Sequence, residues 1–295
     1  MSKIKKYLLV TFITSWLLGG IALHDLNTGS AAGMMGFSYS VSLCMFTPTL
    51  GAILAGARFR EMGWKPDIER NYKPILFAWL MPAVFSIAGA ALYFLVFPED
   101  FDASGAALNE MNPRVFEELK ESGSSYGGYI AKEIFYSIVS FQTCIAVFWG
   151  LCEEIGWRGF LYPELKEKLG RMKGVLLGGV IHGAWHFPLM IFAGYEYGNE
   201  YIGAPVLGLF AFCIFTTSTG IISDHLYEKT QSIWLPALFH GAVNSGVNPY
   251  LLRTMNHFER SIFGPADVGL ISVIPIVAVA AFILYREYRV NQYAE

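Results

Sequence analysis

The sequence predicts an all-α fold: a polytopic transmembrane helical bundle of about eight spans. Three observations predict it. The chain has 295 residues, is 54% hydrophobic and only 15% charged, and its mean hydropathy is +0.42. That is more apolar than an ordinary soluble domain. Apolar stretches of about 20 residues, the length a helix needs to cross a bilayer core, recur from end to end. The basic residues then sort onto alternate sides of those stretches.

Spans are expected over about 7–24, 37–57, 74–97, 130–152, 174–193, 203–222, 233–251 and 267–285. The first follows a basic start, Lys3, Lys5 and Lys6. Its length, and the lack of a clear small-x-small cleavage site after it, make it an anchor and not a signal peptide. The connection at 58–73 carries Gly63-Trp64-Lys65-Pro66, a turn with an interfacial tryptophan. The long acidic connection at 98–129 holds a candidate surface helix at 114–121 and a flexible run from Ser122 to Gly128. The fifth span carries Gly174, Gly178, Gly179 and Gly183. Small residues at four-residue spacing let helix backbones approach closely in lipid, so this span is expected to be central.

With these spans, sixteen of the 21 basic residues fall on one side: Lys3, Lys5, Lys6, Arg58, Arg60, Lys65, Arg70, Lys73, Arg158, Lys166, Lys168, Arg171, Lys173, Lys229, Arg286 and Arg289. Five fall on the other: Arg114, Lys120, Lys132, Arg253 and Arg260. The positive-inside rule places both termini in the cytoplasm of a multi-pass cell membrane. Residues 1–295 read as a single membrane domain, without repeats or a low-complexity tail. The four cysteines, Cys44, Cys144, Cys152 and Cys213, lie in or beside spans without CxxC spacing. They read as small apolar packing residues. No P-loop, dinucleotide fingerprint or basic-aromatic patch is present, so neither nucleic acid nor nucleotide is expected as a partner.

Ionisable groups are costly in lipid and by default mark a functional site. Glu153-Glu154-Ile155-Gly156-Trp157-Arg158 closes the fourth span, His182 and His186 lie in the fifth, and His240 and Asn244 in the seventh. Glu154 and Arg158 are i,i+4 with the acid first, the favoured order for an ion pair. Glu153 points about 100° away and is expected to lack a local partner. A desolvated, unpaired carboxylate suits a general base. The bland alternative is a solvated helix end among headgroups. His186 lies roughly 18 Å into its span and His240 roughly 11 Å by helix rise. His182 is one turn before His186 on the same face. His240 and Asn244 share a face and suit donors to an oxyanion, or else interhelical hydrogen bonds. These groups are expected to meet in a cavity open to the cytoplasm. Glu153 looks shallower than His186, so either the fourth span continues beyond residue 157 or the fifth starts deeper.

Glu-Glu-x-x-x-Arg at 153–158, Trp-His-x-Pro at 185–188 and His-x-x-x-Asn at 240–244 together resemble the CPBP family of intramembrane proteases. That family includes type II CAAX prenyl endopeptidases and the Abi bacteriocin-processing and immunity proteins. The resemblance covers about 130–250, with Pro48-Thr49-Leu50-Gly51 and Gly63-Trp64 upstream also similar. It implies hydrolysis of a peptide bond in a membrane-associated peptide or protein. Glu153 with His186 would activate a water, His240 and Asn244 would stabilise the oxyanion, and Glu154 and Arg158 would hold the site together. His182 departs from the family pattern, which more often has an aromatic residue there. It is expected to support the site by bonding Glu153 or Glu154, or else to join Glu153, His186 and His240 in holding a divalent metal such as zinc. A bacterial plasma membrane is the expected location. The alternative from another class is a non-catalytic bacteriocin-immunity or scaffold protein. A transporter fits less well, because no inverted repeat is visible.

Overall fold

The computed structural model describes residues 1–139, 141–254 and 256–292. Every regular element among them is helical; the lone exception to helix and turn is an isolated antiparallel bridge between Phe101 and Arg253. The elements run α1 (Lys3–Asn27), α2 (Ala31–Cys44), α3 (Thr47–Ala55), α4 (Ile68–Val96), α5 (Ala106–Met111), α6 (Pro113–Glu121), α7 (Tyr126–Val139), α8 (Phe141–Gly156), a π turn (Trp157–Leu161), α9 (Tyr162–Leu169), α10 (Arg171–Trp185), α11 (Phe187–Ala193), α12 (Val206–Thr230), α13 (Trp234–Asn244) and α14 (Ile274–Gln292).

Among the described residues, five passages are long and apolar enough to cross a membrane: α1, α2 with α3, α4, α10 with α11, and α12. α7 and the rod of α8 and α9 pass the same test only together, bent by 48° as a broken span or a re-entrant loop. The expected seventh and eighth spans correspond to α13 and α14. At 11 residues, α13 rises only about 16 Å, roughly half a bilayer core. The expected continuation to 251 is irregular, because Ser245-Gly246 and Asn248-Pro249 break the helix. Non-helical backbone at membrane depth is tolerated where protein buries it, and here Leu251, Ile262, Val268 and Val273 are buried. The surface helix expected at 114–121 is α6. The run expected to be flexible, 122–128, is helical from Tyr126 onward.

Small residues set the packing, as expected where lipid removes the hydrophobic drive between helices. A side chain at Gly174 or Gly178 would meet Lys166 or the Tyr162 ring, and one at Gly179 or Gly183 would meet Thr217 or Cys213. The fifth expected span is therefore wedged between α9 and α12. Gly156 lets the rod lie against Pro48 of α3, and Thr49 donates to the Cys152 carbonyl. Gly63 has φ 72° and its missing side chain makes room for the Gln231 carbonyl. That turn brings Trp64 to Trp234, which donates to its carbonyl at 2.9 Å. The cysteines are free thiols, with Cys44 and Cys152 buried; Cys144 is exposed on the helix exterior and does not pack inside.

Charges gather at the two ends of the bundle. At one end Lys166 meets Asp224 at 2.6 Å, and Arg171 meets Glu287 at 2.9 Å. At the other, Arg260 meets Glu99 at 2.6 Å and Asp100 at 3.2 Å. Between them a buried core runs from Tyr7 through Trp157, Phe212 and Phe239 to Ile283.

Candidate active site

The helix carrying Glu153 does not stop near residue 152. It continues through the π turn and α9 to Leu169, so both acids lie in mid-rod and not at a helix end. This removes the expected mismatch in depth with His186. The apolar run closes early because Arg158, Lys166 and Lys168 follow. The first two are compensated inside the protein, by Glu154 and by Asp224.

Glu154 and Arg158 form the expected ion pair at 2.9 Å, both almost wholly buried. The guanidinium also lies over the Tyr162 ring, 4.4 Å from its centroid. Glu153 differs from expectation. It has a local partner one turn on, because Trp157 Nε1 donates to its Oε2 at 3.0 Å. His182 Nε2 stands 3.2 Å from the same oxygen, and its ring packs against the Trp157 ring at 4.7 Å. His182 Nδ1 is buried without a partner among the described residues. A proton there would be stranded, so the ring carries its proton on Nε2 and donates to Glu153. Two donors thus hold Oε2.

Glu153 Oε1 faces His240 Nε2 across 3.9 Å, wider than a hydrogen bond. His240 Nδ1 lies 2.8 Å from Glu154 Oε1. Glu154 therefore fixes the histidine that faces Glu153, and Arg158 fixes Glu154. His186 caps α10, with Nδ1 3.1 Å from the His182 carbonyl. Its ring stacks parallel to Tyr195 at 6.1 Å. Thus His182, and not His186, touches Glu153 directly.

All seven residues singled out from the sequence line one cavity of about 320 Å³. Glu153, Glu154 and Arg158 are at most 2% exposed and His182 is 7% exposed. His186 and His240 are half-buried and Asn244 is exposed. Exposure therefore rises away from the Lys166–Arg171 end, which buried Arg158, Tyr162 and Asp224 close. The sequence expects a mouth at that basic end; of the seven residues, His186, His240 and Asn244 are the more exposed.

Three residues of the wall escape the sequence reading: Tyr195, Glu196 and Asp267. Glu196 adopts φ 74° in the turn after α11. Asp267 accepts from Ser86 at 3.2 Å. Burial and the nearby Asp267 charge push the Glu196 carboxyl up to about 7. Two acids bordering apolar runs are a signal of the same kind as Glu153. No three His, Cys, Asp or Glu side chains among the described residues are gathered as metal ligands.

Residues 135–246, which contain all seven of these site residues, match the family described as Type II CAAX prenyl endopeptidase Rce1-like. A CAAX prenyl protease 2 from Methanococcus maripaludis is 29% identical over 119 residues, 40% of this chain. The aligned part spans 42% of that relative's length. Asp267 lies beyond the matched segment.

Proposed function

We propose that this chain, whose residues 135–246 match the Type II CAAX prenyl endopeptidase Rce1-like family, is a CPBP-type intramembrane endopeptidase acting on a membrane-associated peptide or protein. The observation that carries the reading is the asymmetry of Glu153. Trp157 and His182 hold Oε2, so Oε1 alone is presented to the cavity opposite His240. A carboxylate oxygen fixed in this way is placed to take a proton from water attacking a carbonyl. His240 Nε2 donates to the resulting oxyanion when both ring nitrogens carry protons, with Glu154 holding Nδ1. Asn244, on the same face one turn on, supplies a second donor. His186 lies near the cavity wall and orients substrate or water, not Glu153.

The relative's name points to substrates with a prenylated C-terminal motif, and nothing in this chain's cavity restricts it to them. The test is cleavage by purified protein in lipid discs, with a farnesylated C-terminal peptide and an unmodified membrane peptide, read by mass spectrometry. Glu153→Gln is expected to lower turnover by about 10²–10⁴-fold while the protein still folds. Near-normal turnover in that variant would overturn the assignment. Activity lost to a chelator and restored by zinc would replace this reading with metal-held water. Binding without hydrolysis of any peptide would favour the immunity or scaffold reading.

A further inference from the structure

A second pocket, of about 780 Å³, lies between α4, α12 and α14 at the end of the bundle that carries Lys166 and Arg171. It shares no lining residue with the candidate active site. Its walls divide by chemistry along the helix axes. Lys73 is in the second turn of α4, Lys229 is one residue from the end of α12, and Arg286 is in the last two turns of α14. All three are exposed and line the pocket. One turn deeper on α4 is Phe77; one and two turns deeper on α14 are Phe282 and Val279. Cations at the rim and an apolar wall toward the bilayer centre are the profile of a lipid molecule, head outward and chain inward.

The pocket also holds two acids, Glu228 and Glu287, and both are engaged by other groups, Lys166 and Arg171 (which Asp224 shares) and His225. Glu287 meets Arg171 at 2.9 Å and His225 at 3.0 Å. Glu228 meets Lys166 at 2.5 Å and also pairs with Arg171. By contrast Lys73, Lys229 and Arg286 have no carboxylate partner among the described residues. Lys73 and Arg286 lie only near aromatic rings, 5.7 Å from Tyr72 and 5.9 Å from Phe282. Three exposed cations without carboxylate partners at the rim of one apolar slot are free to take up an anion. A soluble anion would leave the apolar wall unused.

We propose that this interhelical pocket binds an anionic phospholipid, its phosphate among Lys73, Lys229 and Arg286 and an acyl chain along Phe77, Val279 and Phe282. Basic pockets between transmembrane helices at a membrane surface suit acidic headgroups in this way. The proposal does not depend on the protease reading.

The experiment uses delipidated full-length protein in detergent, titrated with phosphatidylglycerol and followed by native mass spectrometry. One tightly retained lipid is expected. Each basic group near an anionic lipid is worth roughly fivefold in affinity, so Lys73→Gln, Lys229→Gln and Arg286→Gln combined should weaken retention about 100-fold. All three side chains are exposed, so the variant should elute and melt as the parent does. Lys3→Gln, Lys5→Gln and Lys6→Gln combined, which remove equal charge elsewhere, should leave retention unchanged. Equal loss in that control, or unchanged retention in the pocket variant, would overturn the site. Glycerol phosphate, a headgroup without chains, should not compete; full competition would show that the apolar wall contributes nothing and would also overturn it. Phosphatidylcholine retained as tightly as phosphatidylglycerol would remove the charge argument.

Discussion

Glu153 and Glu154 sit side by side on one continuous rod, and each has donors within 3.2 Å: Trp157 and His182 for one, Arg158 and His240 for the other. Glu196 and Asp267 face the same cavity from two irregular segments. Beside them stand no charged donors among the described residues: the Tyr195 hydroxyl is at Glu196, and the Ser86 hydroxyl and the backbone N–H groups of Asp267 and Val268 are at Asp267. The contrast separates two uses of buried acid. The first pair is held in place by fixed opposing dipoles and charge. The second is free to take up or release a proton near neutral pH.

The comparison breaks most severely at Arg158. Removing one partner of a buried pair leaves an uncompensated charge, at a cost of about 3–5 kcal/mol. Arg158→Ala should therefore lower the melting temperature sharply and release His240 from its fixed place through Glu154. Loss of activity with an unchanged melting temperature would show that the pair is not structural.

At the other pair the charge itself is the burden. A carboxyl raised to about 7 from its usual 4.5 binds its proton more tightly in the folded protein. Its contribution to stability is present below about pH 4.5 and drains away as pH rises through 7. The groups facing Glu196 are Tyr195, Tyr197, Tyr250 and Asp267, and no base among the described residues acts on it. Glu196→Gln should therefore stabilise the protein at pH 8 and change little at pH 5. The gain is at most about 3 kcal/mol from the shift, reduced by cavity solvent. A thermal melt at the two pH values measures it. Equal effects at both would mean the carboxyl does not titrate between these pH values and would overturn the assignment.

The two regions were not equally legible. Glu154–Arg158 follows from four-residue spacing alone, and so does Glu153–Trp157; an indole is easily passed over as a donor because tryptophan counts as apolar. The depth of Glu153 was hidden, because a hydropathy window sees Lys166 but not Asp224, 58 residues away, that compensates it. The wedge of α10 between α9 and α12 was readable from its glycines. Glu196 and Asp267 are 71 positions apart in irregular backbone, where no periodicity projects one toward the other. The broken end of α13 was likewise lost, since the residues after Asn244 remain apolar enough to extend a span.

The finest test falls on His182, where one donor is removed and another stays. Trp157 still holds Glu153 Oε2 in His182→Phe, and an aromatic ring can keep the packing against Trp157 that the imidazole makes at 4.7 Å. A neutral hydrogen bond contributes about 1 kcal/mol net, so turnover should fall about fivefold and no further. The loss should appear in kcat, because His182 positions the base and is itself only 7% exposed. His182→Gln, which can restore a donor, should recover part of it. A metal role predicts otherwise: His182→Phe would then remove bound zinc and activity together, and His182→Gln would restore neither. Metal analysis of the purified variants beside their kcat values decides between them.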